Sequence, residues 1–218
     1  MTDRGPGRRR PPEGRVVPVS TSPLQLRPDL HLDAGAARVE YLAALGVSHL
    51  YLSPVLAAAP GSTHGYDVVD HSVVSDVIGG RASLDRLAAV ARAAGLGLVV
   101  DLVPNHMAVP TPAYRNHSLG SVLAEGPDSP YAHWFDVDWS AGEGALLMPV
   151  LGRRIGAVLA DGELTLDEVT LEGASAPTTV LRYFDHVFPV RAGTEALPLA
   201  DLVAAQHYRL AHWRGAGA

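Results

Sequence analysis

Gly97-Leu98-Val99-Val100-Asp101-Leu102-Val103-Pro104-Asn105-His106 decides how this chain is read. Leu98-Val99-Val100 is an unbroken, largely β-branched run, the pattern of a strand buried on both faces of a parallel sheet. Such a strand carries no charge, yet Asp101 follows at once, and Asn105 and His106 arrive directly after Pro104. Polar groups at the C-terminal end of a buried parallel strand are where α/β barrels hold their active sites. Working backwards, Ser83 reads as the N-cap of a helix whose Leu84, Leu87, Val90 and Ala94 recur at helical spacing until Gly95 stops it. The third strand then covers Leu96–Val103. Val47–Leu52 makes a second strand ending at Ser53-Pro54, and Asp29–Leu45 a helix with Asp29 or Asp33 as N-cap and Gly46 just past its end. Val16–Leu26 reads as a first strand, weakened by Pro18 and Pro23. Ala57–Gly80 reads as a long loop. Strand and helix alternating at this spacing imply βαβ units, a parallel sheet and right-handed crossovers.

The composition narrows the class of protein. The chain has 218 residues, 47% of them hydrophobic, enough for a sizeable core. Residues 1–15, rich in Arg, Gly and Pro and without an apolar stretch, are expected to be a disordered tail and not a secretory signal. No run approaches the ~20 apolar residues of a membrane span. A formal net charge of −6 argues against nucleic acid as a partner. There is no cysteine, hence no disulfide framework and no thiolate metal site. All seventeen basic residues are arginine, which excludes lysine Schiff-base chemistry. A cytoplasmic location without membrane or nucleic-acid partners is expected.

Past Met107 the character changes. Residues 109–129 are rich in Pro, Gly, Ser and Asn, and Tyr131–Trp139 packs four aromatics and two aspartates together. Short apolar runs follow at Ala145–Leu151, Ile155–Leu159, Glu163–Leu171 and Val180–Pro189, separated by turn residues. Residues 109–197 are therefore expected to be a β-rich subdomain inserted after the third strand of a unit spanning 16–108. Tyr131, Trp134, Phe135 and Trp139 are expected to fill its core in preference to lining a sugar groove. Residues 198–218 are expected to return to helix. With only three strands used by residue 103, against the roughly 250 residues of a closed eight-stranded barrel, the chain reads either as a smaller open sheet or as the front part of a barrel whose remainder is missing.

Two segments carry a resemblance. Asp101-Leu-Val-Pro-Asn105-His106 resembles the first signature of the α-amylase superfamily (glycoside hydrolase family 13), at the end of the third barrel strand. His64-Gly65-Tyr66, with Asp67 and Asp70 after it, resembles that family's partner loop, one helix and one strand upstream. The flanks Tyr51–Leu56, Ala57–Asp67, Asp185–Val190 and Gln206–Arg214 resemble the maltooligosyltrehalose synthases, a family within it. The resemblance implies a TIM (β/α)8 barrel, no cofactor, and a maltooligosaccharide substrate. It implies intramolecular transglucosylation in trehalose biosynthesis, an isomerase reaction turning the reducing-end α-1,4 link into an α,α-1,1 link. It further implies that Tyr66 stacks under the sugar whose bond breaks, with His64 and His106 donating to its hydroxyls. Asp101 would hold the loop, Asp67 and Asp70 would orient Tyr66, and Asn105, a calcium ligand in many α-amylases, would make a loop-fixing hydrogen bond.

A retaining transfer needs a carboxylate nucleophile and a second carboxyl as acid/base, about 5–5.5 Å apart. In this superfamily they stand at the fourth and fifth strands, and no Arg-x-Asp follows the third strand here. Leu181-Arg182-Tyr183-Phe184-Asp185 has one residue too many between Arg and Asp, and Ser22-Pro23 stands where the family has Tyr-Arg. Catalytic carboxylates are thus expected beyond residue 218, with no metal, and the chain alone is expected to be inactive, needing the remainder of the barrel. Two other readings fit the same residues: another hydrolase or transglucosylase of the superfamily, or a non-catalytic maltooligosaccharide-binding fragment.

Overall fold

Three short parallel strands organise the first half of the chain. β1 (Thr21–Leu24) pairs with β2 (His49–Leu52), after α1 (Leu32–Ala36) and α2 (Val39–Ala44). β3 (Leu56–Ala58) and β4 (Val68–Val74) follow, then α3 (Gly80–Ala93), and β5 (Gly97–Val100) pairs parallel with β2. The sheet order is β1-β2-β5, the arrangement expected of the first three βα units of a barrel. The computed structural model describes residues 17–141, 144–171 and 175–215, so the expected tail over 1–15 lies outside the described residues. The chain forms two units, the first comprising residues up to 57, 61–66 and 71–105, the second 58–60, 67–70 and 106 onwards.

The first unit closes around Leu24, Leu26, Leu32, Val39, Leu50, Leu52, Ile78, Leu87 and Ala91. Gly97 faces His49 in the β2–β5 register, and a Cβ there would overlap the buried His49 ring, so only glycine fits. The ladders continue past the strand ends, the Ser53 amide donating to the Leu24 carbonyl (3.1 Å) and the Asp101 amide to that of Leu52 (2.9 Å). Buried Ser53 accepts the Leu26 amide through Oγ at 2.8 Å.

Several expectations are corrected here. β1 is only four residues long: Ser20 and Ser48 exchange hydrogen bonds at its entrance, Pro18 precedes it and Pro23 lies within it. The helix over 29–45 is two short helices, and Asp33 caps neither. Its carboxylate instead accepts from Ser83 Oγ (2.9 Å) and from Arg86 Nε and Nη2 (3.0 and 2.9 Å), which ties α1 to α3. That contact also removes Ser83 from its expected capping role: α3 starts at Gly80, and Ser83 is buried within it. The presumed loop over 57–80 contains β3, β4 and a 3-10 turn at Asp76–Ile78. β5 is half-buried and not enclosed on both faces, Val100 being 37% exposed, because among the described residues it is an edge strand.

In the second unit α4 (His117–Glu125) leads to β6 (Leu146–Leu151), α5 (Ile155–Ala160) and β7 (Leu164–Val169). β8 (Thr178–Tyr183) and β9 (His186–Pro189) follow, then α6 (Leu199–Ala204) and β10 (Tyr208–His212). β7, β8 and β9 form an antiparallel sheet, and β10 pairs parallel with β6. The core gathers Leu119, Leu123, Met148, Leu151, Val158, Leu181, Phe188, Leu202 and Tyr208. Three readings change. The Gly- and Ser-rich stretch after 109 hides α4, whose N-cap Asn116 accepts the Leu119 amide through Oδ1 at 3.1 Å. Ile155–Ala160 is helix, its apolar run burying Val158 against the core. The helix expected over 198–218 ends at Ala204 and gives way to β10, where Tyr208 is fully buried and its hydroxyl donates to the Pro189 carbonyl at 2.9 Å.

Candidate functional site

The C-terminal ends of β2 and β5 build the site of the first unit. Tyr51 is in register with Val99, so Asp101, two residues further on, emerges on the same side of the sheet. The Tyr51 hydroxyl donates to Asp101 Oδ2 at 2.8 Å, and the Tyr66 hydroxyl donates to the same oxygen at 2.6 Å. One carboxylate thus fixes two phenols from separate stretches of chain. The bonds from Tyr66 and then Tyr51 hold the Asp101 carboxyl below the usual carboxylate range, against the opposing effect of burial. The same bonds raise both phenols above their ordinary values. At neutral pH the trio is therefore one carboxylate and two neutral hydroxyls.

Tyr66 is 42% exposed, an aromatic face held by its hydroxyl. Its backbone is set by Gly65, whose φ of +78° suits glycine and whose absent Cβ would stand 2.9 Å from the Pro54 carbonyl oxygen. The Gly65 amide donates to Ser62 Oγ at 3.1 Å. The Tyr66 amide donates to His64 Nδ1 at 3.1 Å, so a neutral His64 carries its proton on Nε2, and the two rings lie 6.0 Å apart between centroids. Further along, His71 Nε2 donates to the Val103 carbonyl at 2.8 Å and steadies the turn after β5.

The first unit thus brings His64, Tyr66 and Asp101 together with Tyr51, a residue the sequence reading passed over. Its signal was an aromatic at the end of a buried strand, directly before Leu-Ser-Pro. Asn105 also belongs to this unit and is exposed. Asp67, Asp70 and His106 belong to the second unit. There the Ala108 amide donates to the Val68 carbonyl at 2.8 Å, joining the Asp67–Asp70 stretch to the one that follows exposed His106. Buried Asn116 holds that junction by donating from Nδ2 to the Ala108 carbonyl at 3.0 Å. It too escaped the sequence reading, in a stretch that resembled loop.

Arg27-Pro28-Asp29 is a literal Arg-x-Asp that also went unread; it follows β1 and forms an exposed ion pair at 2.6 Å. Arg182 pairs across the sheet with Asp167 at 2.8 Å, so the near-match at 181–185 is a strand cation with a strand partner. Among the described residues no group of three or more His, Asp or Glu side chains is placed to hold a metal ion, and no helix is long and apolar enough to cross a membrane.

An open parallel sheet with an aromatic and a carboxylate at its C-terminal strand ends is the arrangement in which α/β barrels hold their active sites. Residues 32–157 match the alpha amylase catalytic domain, more than half of the chain, and the protein belongs to the alpha-amylase family. A Mycobacterium tuberculosis protein that carries the name maltooligosyl trehalose synthase is 42% identical over 178 residues, which are 81% of this chain and 21% of that protein. The solved maltooligosyltrehalose synthase from Arthrobacter ramosus is 41% identical with a TM-score of 0.79, covering 90% of this chain and 24% of that one. A second solved maltooligosyl trehalose synthase is 36% identical with a TM-score of 0.78, covering 90% and 26%. The chain thus spans between a fifth and about a quarter of the length of these relatives.

Proposed function

We propose that this chain carries the glucan-binding part of a maltooligosyltrehalose synthase active site. That enzyme moves the reducing-end glucosyl unit of a maltooligosaccharide from an α-1,4 to an α,α-1,1 link. The observation that carries the reading is the exposed Tyr66 ring held rigid by Asp101 and Tyr51 at the ends of β2 and β5. A pyranose offers an apolar C–H face to such a ring, and immobilising the ring in advance removes its ordering cost on binding. Asp101, with its charge already engaged by two phenols, is a positioning residue and no proton donor. His64, protonated on Nε2 when neutral, and His106 supply hydroxyl contacts that strengthen as the ring flattens toward the oxocarbenium ion. Asp67 and Asp70 orient the Tyr66 loop. The nucleophile and the acid/base are carboxylates of the fourth and fifth strands of such barrels, so the chain binds glucan and turns none over.

Titration of the 218-residue chain with maltoheptaose tests this reading. Binding is expected, with Tyr66→Ala weakening it about tenfold or more, the scale of one lost aromatic contact. Incubation of the same chain with maltopentaose is expected to yield no trehalose-ended product. Unchanged affinity in the variant overturns the role of Tyr66, and formation of a 1,1 link by the chain alone overturns the division of labour.

A further inference from the structure

The ring cluster of the second unit lies outside the site described above. His117, Tyr131, Trp134 and His133 form a continuous chain of edge-on contacts, with centroid separations of 5.5, 5.0 and 6.3 Å and interplanar angles of 78°, 75° and 85°. None of the four belongs to the apolar core of the unit, and Trp134 is 56% exposed. The core expected for these aromatics thus takes up Phe135, at its margin, and leaves Trp134 at the surface.

The cluster is held firmly. The Trp134 amide donates to the Tyr131 carbonyl at 2.9 Å and the Ala132 amide to that of Ser129 at 3.0 Å. Buried Ser129 accepts the Tyr131 amide at 3.2 Å through Oγ and is hydrogen-bonded to Ser121 of α4 at 2.8 Å. A large exposed indole on a hydrogen-bonded turn, with the Tyr131 and His133 rings edge-on to it, presents binding area at little entropic cost. Its surroundings are amphipathic: the exposed His133 imidazole stands beside it, exposed His117 lies against its neighbour Tyr131, and exposed Asp136 follows in the chain. An apolar protein partner would call for a continuous apolar face. A sugar ring, with C–H groups in its middle and hydroxyls at its rim, matches an aromatic centre with polar neighbours.

We propose that Trp134, with Tyr131, His117 and His133, is a second carbohydrate platform that takes an α-1,4-linked glucan chain. The choice of α-glucan rests on the function proposed above; the platform itself rests on the ring geometry. Trp213, equally exposed at 56% but with the Arg214 guanidinium over its ring at 4.9 Å, serves as the control.

The test is a maltoheptaose titration of the 218-residue chain followed by calorimetry and tryptophan fluorescence, in wild type, Trp134→Ala, Trp213→Ala, Tyr66→Ala and the Tyr66→Ala/Trp134→Ala double variant. Trp134→Ala is expected to abolish one class of site or weaken it about tenfold, Trp213→Ala to leave it intact, and the double variant to weaken both classes. Should Trp134→Ala fail to fold by circular dichroism, Trp134→Phe replaces it, with a several-fold weaker site expected. A titration unchanged by loss of the indole overturns the platform, even where Tyr66-dependent binding persists. Unchanged binding in Tyr66→Ala with a Trp134-dependent site intact overturns the function reading alone, and no binding in wild type overturns both.

Discussion

At Asp101 a single carboxylate oxygen receives two phenolic hydroxyls, and this sets its pH behaviour. Its carboxyl is lowered in the folded chain, so its stabilisation is complete above the unfolded value of about 3.9 and is lost as pH falls through the lowered one. Tyr51 and Tyr66 are raised, so theirs is present below about 10 and is lost as pH rises through the raised values. Asp101→Asn is expected to flatten the acid limb of the thermal-stability profile and to loosen the Tyr66 ring, read as greater quenching of tyrosine fluorescence by acrylamide. An acid limb identical to that of wild type would show that the trio does not set it. At Gly65 the positive φ and the nearby Pro54 carbonyl both oppose a side chain. Gly65→Ala is expected to cost about 1–3 kcal/mol in urea unfolding and to weaken maltoheptaose binding through the displaced Tyr66.

The elements were legible to different depths. β2, α3 and β5 were readable because apolar runs and helical spacing coincide there with Ser-Pro, Gly and the Asp101 boundary. α1 and α2 were read as one helix because the side-chain pattern continues across the break. The break falls at Ala37-Arg38, where the Arg38 guanidinium donates to the Ala34 carbonyl at 2.5 Å. α4 was missed because its start depends on Asn116, which caps it while also gripping Ala108. Asn116→Ala is expected to lose about 1–3 kcal/mol, the sum of an N-cap and a buried hydrogen bond, seen as a lower urea midpoint with an unchanged m-value. Phe188, buried in β9 against Tyr208 at 5.3 Å, anchors the second unit. Phe188→Ala is expected to cost about 3–5 kcal/mol in the same measurement; a loss below 1 kcal/mol would show that the core recloses around the gap.

For the molecule as a whole, the membership of the alpha-amylase family and the likeness to maltooligosyltrehalose synthases agree with the strand order. The chain is acidic overall, with a formal charge of −6. Binding to a neutral glucan by ring stacking and hydroxyl contacts is then expected to change little between 50 mM and 500 mM salt, because no counterions are released. A steep salt dependence in the maltoheptaose titration would point to a charged ligand instead.

The sequence by itself determined the parallel βαβ start, the β-rich character of the second half and the His64-Gly65-Tyr66 and Asp101 motifs, because each rests on local periodicity or on a few adjacent residues. Only the tertiary structure decided that Tyr51 shares Asp101 with Tyr66, that Asn116 steadies the stretch after His106, that the chain from Tyr208 to His212 is a strand, and that Trp134 stays at the surface. Those outcomes depend on which distant side chain fills a space or meets a hydrogen-bonding group, and spacing along the chain does not encode that.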